Sequence, residues 1–175
     1  MNLTKYLPFE NYVLTTKLPT LEVLKRITDN IEPRQGFTIS SFNRKYAKPY
    51  TGHINGLTFT MSRNINYRNS FSPIITGQIE TFLGETQIKV KMRLVSFVLV
   101  FISFWLGVVG LVCIGMIIAG LSQFKQILQN GFSPAVLIPF GMFAFGCLLT
   151  ILPFKYESKT SIQFLSKLLD SVEKY

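Results

Sequence analysis

The chain has few of the residues on which most enzymes and metal sites depend. Its 175 residues include one histidine, His53, and two cysteines, Cys113 and Cys147, which both lie in apolar runs. Zinc sites and Cys–His nucleophiles need several such side chains close together, and no glycine-rich phosphate-binding loop is present. The acidic residues are scattered, with no paired-carboxylate motif. We therefore expect no catalytic residue, no metal site and no cofactor.

Charged residues are also scarce, and they are unevenly distributed. They make up 15% of the sequence, against roughly a quarter in soluble domains, whereas hydrophobic residues make up 48%. Lys125 is the only charged residue between Arg93 and Lys155. The rest of the formal net charge of +9 therefore belongs to the segments before and after this region.

The stretches on either side of Lys125 are each long enough to cross a bilayer, which takes about 20 apolar residues. We predict spans over about 94–121 and 134–154, joined by a polar connection over 122–133, so that residues 94–154 form a transmembrane hairpin. A buried helical hairpin of a soluble protein is the alternative, but it would need a far larger chain to cover it. We expect an integral membrane protein.

Basic residues lie just before and just after this hairpin in the sequence, and they predict its orientation. By the excess of Lys and Arg in cytoplasmic segments, both termini are expected in the cytoplasm, with the chain in a bacterial inner (plasma) or thylakoid membrane. The same residues are candidate contacts for anionic lipid headgroups, and nucleic acid is not expected as a partner. These residues are Lys89, Lys91, Arg93, Lys155 and Lys159.

Residues 1–93 predict a soluble α+β domain. We predict a strand over 12–16, a helix capped by Thr20 that ends before Pro33, and a strand over 37–42. Alternating residues around Asn55-Gly56 predict a hairpin over 50–61 with a two-residue type I′ turn. Two further strands, 74–82 and 86–92, are joined around Gly84. In the last of these, side chains should alternate between a buried and a solvated face.

The segment 155–175 predicts an amphipathic helix from about Ser158. It could pack on the sheet or lie on the membrane surface, and we expect it on the soluble domain. The predicted fold class is thus α+β: an antiparallel sheet with one N-terminal helix and a C-terminal amphipathic helix. The two-helix transmembrane hairpin is inserted before that last helix.

Without the hairpin, this order of elements resembles the START-like helix-grip fold, in which an antiparallel sheet curls around a C-terminal helix. The resemblance covers roughly residues 10–93 and 158–175 and implies a cavity for a lipid or small apolar ligand. The residues expected to line it are Phe37, Phe59, Ile88 and Val90. The segment from Tyr67 through Arg93 into Phe104–Gly107 is also similar to small two-span bacterial membrane proteins, including cyanobacterial ones, of uncharacterised function.

Three functional hypotheses follow from these observations. The first is a non-enzymatic accessory or interaction protein, with a cytoplasmic domain, in a membrane-protein complex or a homo-oligomer. The second is a membrane-anchored binder of a lipid or small apolar ligand, and the third is a membrane-bound enzyme of an unrecognised type. We favour the first, because filled cores are commoner than ligand cavities in domains of this size.

Overall fold

The structure is a computed structural model, and it describes residues 7–33, 47–65, 69–122 and 134–174. The predicted strand over 37–42 and most of the connection over 122–133 lie outside these residues. The chain divides into two compact units. The α+β unit comprises residues 1–95 and 153–175, and the helical unit comprises residues 96–152.

A sheet of seven strands forms the framework of the α+β unit, and its order is β2-β3-β4-β5-β6-β1-β7. Neighbouring strands are antiparallel except for β2 and β3. Both edge strands are only three residues long, which leaves little unpaired backbone for other chains to join. The strands are β1 Phe9–Thr16, β2 Ile31–Pro33, β3 Tyr50–Asn55, β4 Thr58–Arg63, β5 Ile74–Phe82, β6 Glu85–Arg93 and β7 Val172–Lys174.

Helix α1, Thr20–Asn30, follows β1 and buries Val23 and Ile27, which lie one turn apart on the same face. Its N-cap is Pro19, not Thr20 as the sequence suggested. The Thr20 hydroxyl instead lies 3.2 Å from that of Thr81 on β5, so the side chain contacts the sheet and does not cap its own helix.

The alternation predicted for β6 is present. Thr86, Ile88, Val90 and Met92 are buried, and the residues between them point to the opposite, solvated face. The buried face, which we call the inner face, forms one core with α1 and with residues 154–169. The predicted fold class is therefore confirmed, with an α+β arrangement in which the sheet is mostly antiparallel.

The two hairpin turns differ from each other in backbone conformation. Asn55 pairs with Thr58, so the loop residues are Gly56 and Leu57, and only Gly56 has a positive φ, of 57°. The predicted type I′ turn at Asn55-Gly56 is therefore wrong, because one positive φ at the first loop position is the pattern of a type II′ turn. The β5–β6 turn has positive φ at both Leu83 and Gly84, as type I′ requires.

Two long helices follow the sheet: α2, Ser96–Ser122, and α3, Ile138–Leu168, which is preceded by a 3₁₀ turn over Pro134–Leu137. Both are long and apolar enough to cross a membrane, and only 11% of the most apolar stretch of each is buried. Pro139 lies in the first turn of α3, where its missing N–H removes no helical hydrogen bond. Within the helical unit, Gly146 of α3 lies against Trp105 and Leu106 of α2.

The amphipathic segment predicted as a separate helix from Ser158 is the last part of α3. The helix continues to Leu168 through Pro153, whose missing N–H removes one helical hydrogen bond. No glycine or other helix-terminating residue separates Pro153 from Ser158, so the backbone has no local reason to end the helix there. The apolar stripe of this segment buries Ile162, Leu165 and Leu169 in the core of the α+β unit.

Candidate functional site

Three of the five basic residues singled out in the sequence line the outer face of the sheet. Lys89, Lys91 and Arg93 are exposed on β6, opposite the face that α1 and α3 cover. Lys89 forms an ion pair with Glu80 on β5, at 2.6 Å. Lys155 and Lys159 lie on α3, on the other side of the sheet. The structure therefore does not gather the five residues into one cluster, and the lipid-headgroup contact stays a prediction.

Lys155 takes part in a polar cluster around Glu10, near the beginning of β1. Its ammonium group lies 2.5 Å from the Glu10 carboxylate, which also accepts hydrogen bonds from Ser158 and Tyr12. Burial alone would raise the pKa of Glu10, but the hydrogen bonds from Lys155, Ser158 and Tyr12 outweigh it and lower the pKa. The cluster therefore favours the ionised carboxylate and ties α3 to β1.

A second polar cluster ties α3 to the other half of the sheet. Arg63, at the end of β4, donates a hydrogen bond of 2.8 Å to the fully buried Glu157. Tyr50 lies beside this pair, and burial raises the pKa of its hydroxyl. The Tyr50 ring also contacts Phe164, with ring centroids 4.9 Å apart. An ion pair and a contact between two aromatic rings thus hold α3 against the sheet here.

The residues expected to line an apolar cavity lie in a filled part of the α+β unit. Phe59, Ile88 and Val90 are each at most 1% exposed and belong to the same core cluster. The Phe59 ring fills the space over Gly77, where an added Cβ would lie 2.0 Å from Cζ of the ring. Phe37 lies outside the described residues. The hypothesis of an apolar ligand between sheet and helix stays a prediction.

A cavity of about 530 Å³ lies elsewhere, at the end of the sheet where β1 ends and β6 begins. The residues that line it are Thr15, Thr16, Lys17, Leu18, Glu85, Asp170 and Val172. This volume falls in the range of small-molecule sites. We call it the end cavity.

Arg26 of α1 holds in place the part of the chain that brings Asp170 to the end cavity. Its guanidinium group donates hydrogen bonds to the carboxylate of Asp170, at 2.8 Å, and to the carbonyl oxygen of Leu168, at 3.0 Å. Asp170 has a positive φ of 47°, the left-handed conformation that commonly ends a helix. The ion pairs with Asp170 and Glu22 raise the pKa of Arg26, so this clamp on the end of α3 is permanently charged.

His53, the only histidine, is exposed on β3. Among the described residues, no group of three or more His, Cys, Asp or Glu side chains is arranged to hold a metal ion. The cysteines lie in the helical unit, Cys113 on α2 and Cys147 on α3.

The sequence did not indicate the end cavity or the two clusters under α3. Thr15, Glu85 and Asp170 follow no motif, and Glu10 meets Lys155 across 145 positions of the chain. One available signal was the four-residue spacing from Glu157 through Ser161 to Leu165 and Leu169, which places Glu157 in line with the apolar stripe of the helix.

Comparison of the chain with protein-family models, with curated proteins and with solved structures finds no match. The resemblances to the START-like fold and to small two-span bacterial proteins therefore stay predictions.

Proposed function

We propose that this is an integral membrane protein that acts without catalysis, as an accessory or interaction subunit whose α+β domain faces the cytoplasm. The observation that carries the membrane location is the exposed apolar surface of α2 and of the first part of α3. Only 11% of the most apolar stretch of each is buried, and an isolated pair of such helices would be insoluble in water. A bilayer supplies the missing apolar environment.

The outer face of the sheet is the surface that we propose for protein interaction. Both helical segments of the α+β unit pack on the inner face, and the outer strand faces carry Lys91, Thr76 and Thr60 in one transverse row across β6, β5 and β4. A broad sheet face with exposed lysine and arginine and neighbouring hydroxyls favours an acidic, hydrogen-bonding protein surface.

The sole tryptophan, Trp105, provides a direct test of the membrane location. It lies on α2 in the helical unit. Reconstituted into vesicles, the protein should lose most of its tryptophan emission when lipids brominated on the acyl chains replace ordinary ones. The control is the same protein in detergent, with brominated vesicles added and no detergent removed. Emission that is equal in both kinds of proteoliposome would place Trp105 outside the bilayer and remove the basis for the proposal.

The interaction itself is tested by native mass spectrometry of the protein extracted gently from its own membrane. We expect a stoichiometric protein partner, or a second copy of the chain, that is lost in the double variant Lys91→Glu, Arg93→Glu. Lys159→Glu reverses one charge on α3, away from the outer face, and should retain the partner. A bare monomer at every detergent concentration would contradict an accessory role.

A further inference from the structure

Exposed apolar side chains lie at the beginning of β1. Leu7 is 43% exposed and Phe9 is 40% exposed. Phe9 is the first residue of β1 and pairs with Arg93, the last residue of β6, so its side chain lies on the outer face beside that of Arg93. Leu7 precedes the strand and lies beyond this end of the sheet pairing. Single exposed apolar residues are common on proteins, so their location decides what they mean.

The same end of the sheet contains both charges that border the apolar stretches of the chain. Arg93 is the last charged residue before the first stretch, and Lys155 is the first charged residue after the second. Arg93 pairs with Phe9, and the Lys155 ammonium group lies 2.5 Å from the carboxylate of Glu10, the next residue along β1. In a protein that spans a bilayer, the charges that border the spans lie at the interface between lipid and water. We therefore expect the beginning of β1 at the level of the lipid headgroups.

An aromatic side chain at this level belongs to α3. Tyr156 follows Lys155 directly and is 67% exposed. The last part of α3 packs on the inner face of the sheet, whereas Phe9 lies on the outer face, so the two rings flank the end of the sheet from opposite sides. Tyrosine combines an apolar ring with a polar tip and is enriched at membrane interfaces for that reason.

The opposite end of the sheet also exposes a phenylalanine. Phe82 pairs with Glu85, the first residue of β6, and is 55% exposed. The nine residues of β6, at about 3.3 Å for each step, put the level of Glu85 roughly 26 Å from that of Arg93. This distance is close to the thickness of the hydrocarbon core of a bilayer. Phe82 is therefore a suitable control for a contact made by Phe9.

We propose that Leu7, Phe9 and Tyr156 insert into the interfacial region of the bilayer and hold this end of the α+β unit on the membrane surface. The proposal rests on the proposed membrane location, and it adds that the folded domain binds lipid as well as the apolar helices. The bilayer is favoured over a protein as the occupant because α2 begins at Ser96, three residues after Arg93. Lipid therefore adjoins this end of the domain whether or not a partner is bound.

Quenching of single tryptophans by brominated lipids tests this contact. In the Trp105→Phe chain, one tryptophan is introduced by Leu7→Trp, Phe9→Trp, Tyr156→Trp or Phe82→Trp. Each of these four side chains is at least 40% exposed, so the fold should tolerate the change. The proteins are reconstituted into vesicles of phosphatidylcholine and phosphatidylglycerol. The acyl chains of these lipids are brominated either next to the headgroup or near the chain end.

The Leu7→Trp, Phe9→Trp and Tyr156→Trp chains should lose emission mainly to bromine next to the headgroup. We expect this loss to be at least about twice that caused by bromine near the chain end, since interfacial side chains reach only about 5–10 Å deep. Phe82→Trp makes the same substitution as Phe9→Trp at the opposite end of the sheet. Its chain should keep its emission in both kinds of vesicle.

Full emission from both the Leu7→Trp and the Phe9→Trp chains overturns the proposal. Quenching of the Tyr156→Trp chain alone does not restore it, because that residue follows an apolar stretch in any case. Equal quenching of the Phe9→Trp and Phe82→Trp chains also overturns it, since no particular end of the domain would then contact lipid. The unmodified chain separates the two proposals. If Trp105 is quenched and the Leu7→Trp and Phe9→Trp chains are not, the membrane location stands and only this contact fails.

Discussion

Thr15 and Thr16 are adjacent and buried to nearly the same extent, but the surroundings of their hydroxyl groups are opposite. Replacing Thr16 by Val leaves the buried carbonyl oxygen of Leu169 without its hydrogen-bond donor. This should lower the free energy of unfolding by about 1–3 kcal/mol. Thr15→Val removes a hydroxyl that has no hydrogen-bond partner among the described residues, and it should leave stability unchanged or raise it by up to about 1 kcal/mol. Thermal unfolding of the two variants and of the unmodified chain measures both changes in stability. Equal destabilisation would mean that the Thr15 hydroxyl has a partner after all.

Glu10 makes the stability of the α+β unit depend on pH. Its folded-state pKa lies below the ordinary value of 4.5, so ionised Glu10 stabilises the fold above about pH 4.5. That contribution is lost as the pH falls through the folded-state pKa. Glu10→Gln should therefore be less stable than the unmodified chain at neutral pH, with a difference that shrinks on acidification below about pH 4.

Chemical denaturation of both proteins at a series of pH values measures this difference. Glu80→Gln is the matched control, because the ion pair of Glu80 with Lys89 lies on the solvated outer face. A gap between Glu10→Gln and the unmodified chain that stays constant down to pH 3 would contradict the lowered pKa.

The β5–β6 hairpin contains a conformational conflict at Leu83. This residue is 88% exposed and has a φ of 51°, a conformation that costs a non-glycine residue about 1–2 kcal/mol. Asn is much better suited to this position of a type I′ turn. Leu83→Asn should therefore stabilise the α+β unit by about 0.5–1 kcal/mol.

The matching control for this hairpin is Leu57→Asn, which also replaces an exposed turn leucine, but one whose φ is not positive. It should not stabilise the protein. Equal midpoints of thermal unfolding for the two variants would show that removal of an exposed apolar side chain, and not relief of strain, is responsible.

Packing between α2 and α3 within the helical unit depends on Gly146. A Cβ at this position would lie 2.4 Å from Cζ3 of Trp105, whereas one at Gly107 would meet nothing within 4 Å. Gly146→Ala should displace the indole, shift its emission and lower the midpoint of thermal unfolding in detergent, at a cost of about 1–3 kcal/mol. Gly107→Ala should do neither. The same emission shift in both variants would argue against the close contact.

The orientation of the whole molecule can be measured by cysteine labelling. In a background with Cys113 and Cys147 replaced by Ser, His53→Cys reports on the exposed sheet and Gln129→Cys on the connection between the helices. By the positive-inside rule, a membrane-impermeant maleimide should label Cys at 53 only in inverted vesicles, and Cys at 129 only in right-side-out ones. The reverse pattern would place the domain outside and contradict the cytoplasmic assignment.

Much of the architecture followed from local patterns. The two charge-free stretches around Lys125 indicated α2 and α3, and the alternation from Thr86 to Met92 indicated which face of β6 is buried. These patterns depend on side chains two to four residues apart, so the chain carries them wherever the rest of the fold lies. The sequence predicted a boundary between the second apolar helix and the amphipathic segment that the structure does not have, because a change in hydrophobicity along the chain does not by itself end a helix.

The tertiary structure alone decided the contacts between distant residues. Glu10 meets Lys155, Arg63 meets Glu157, and Thr15 and Asp170 line the same cavity. Each of these juxtapositions exists because α3 returns the chain to the sheet and β7 pairs with β1. Sequence patterns describe neighbours along the chain, whereas a cavity or a buried ion pair is a property of elements far apart in sequence that pack together in space.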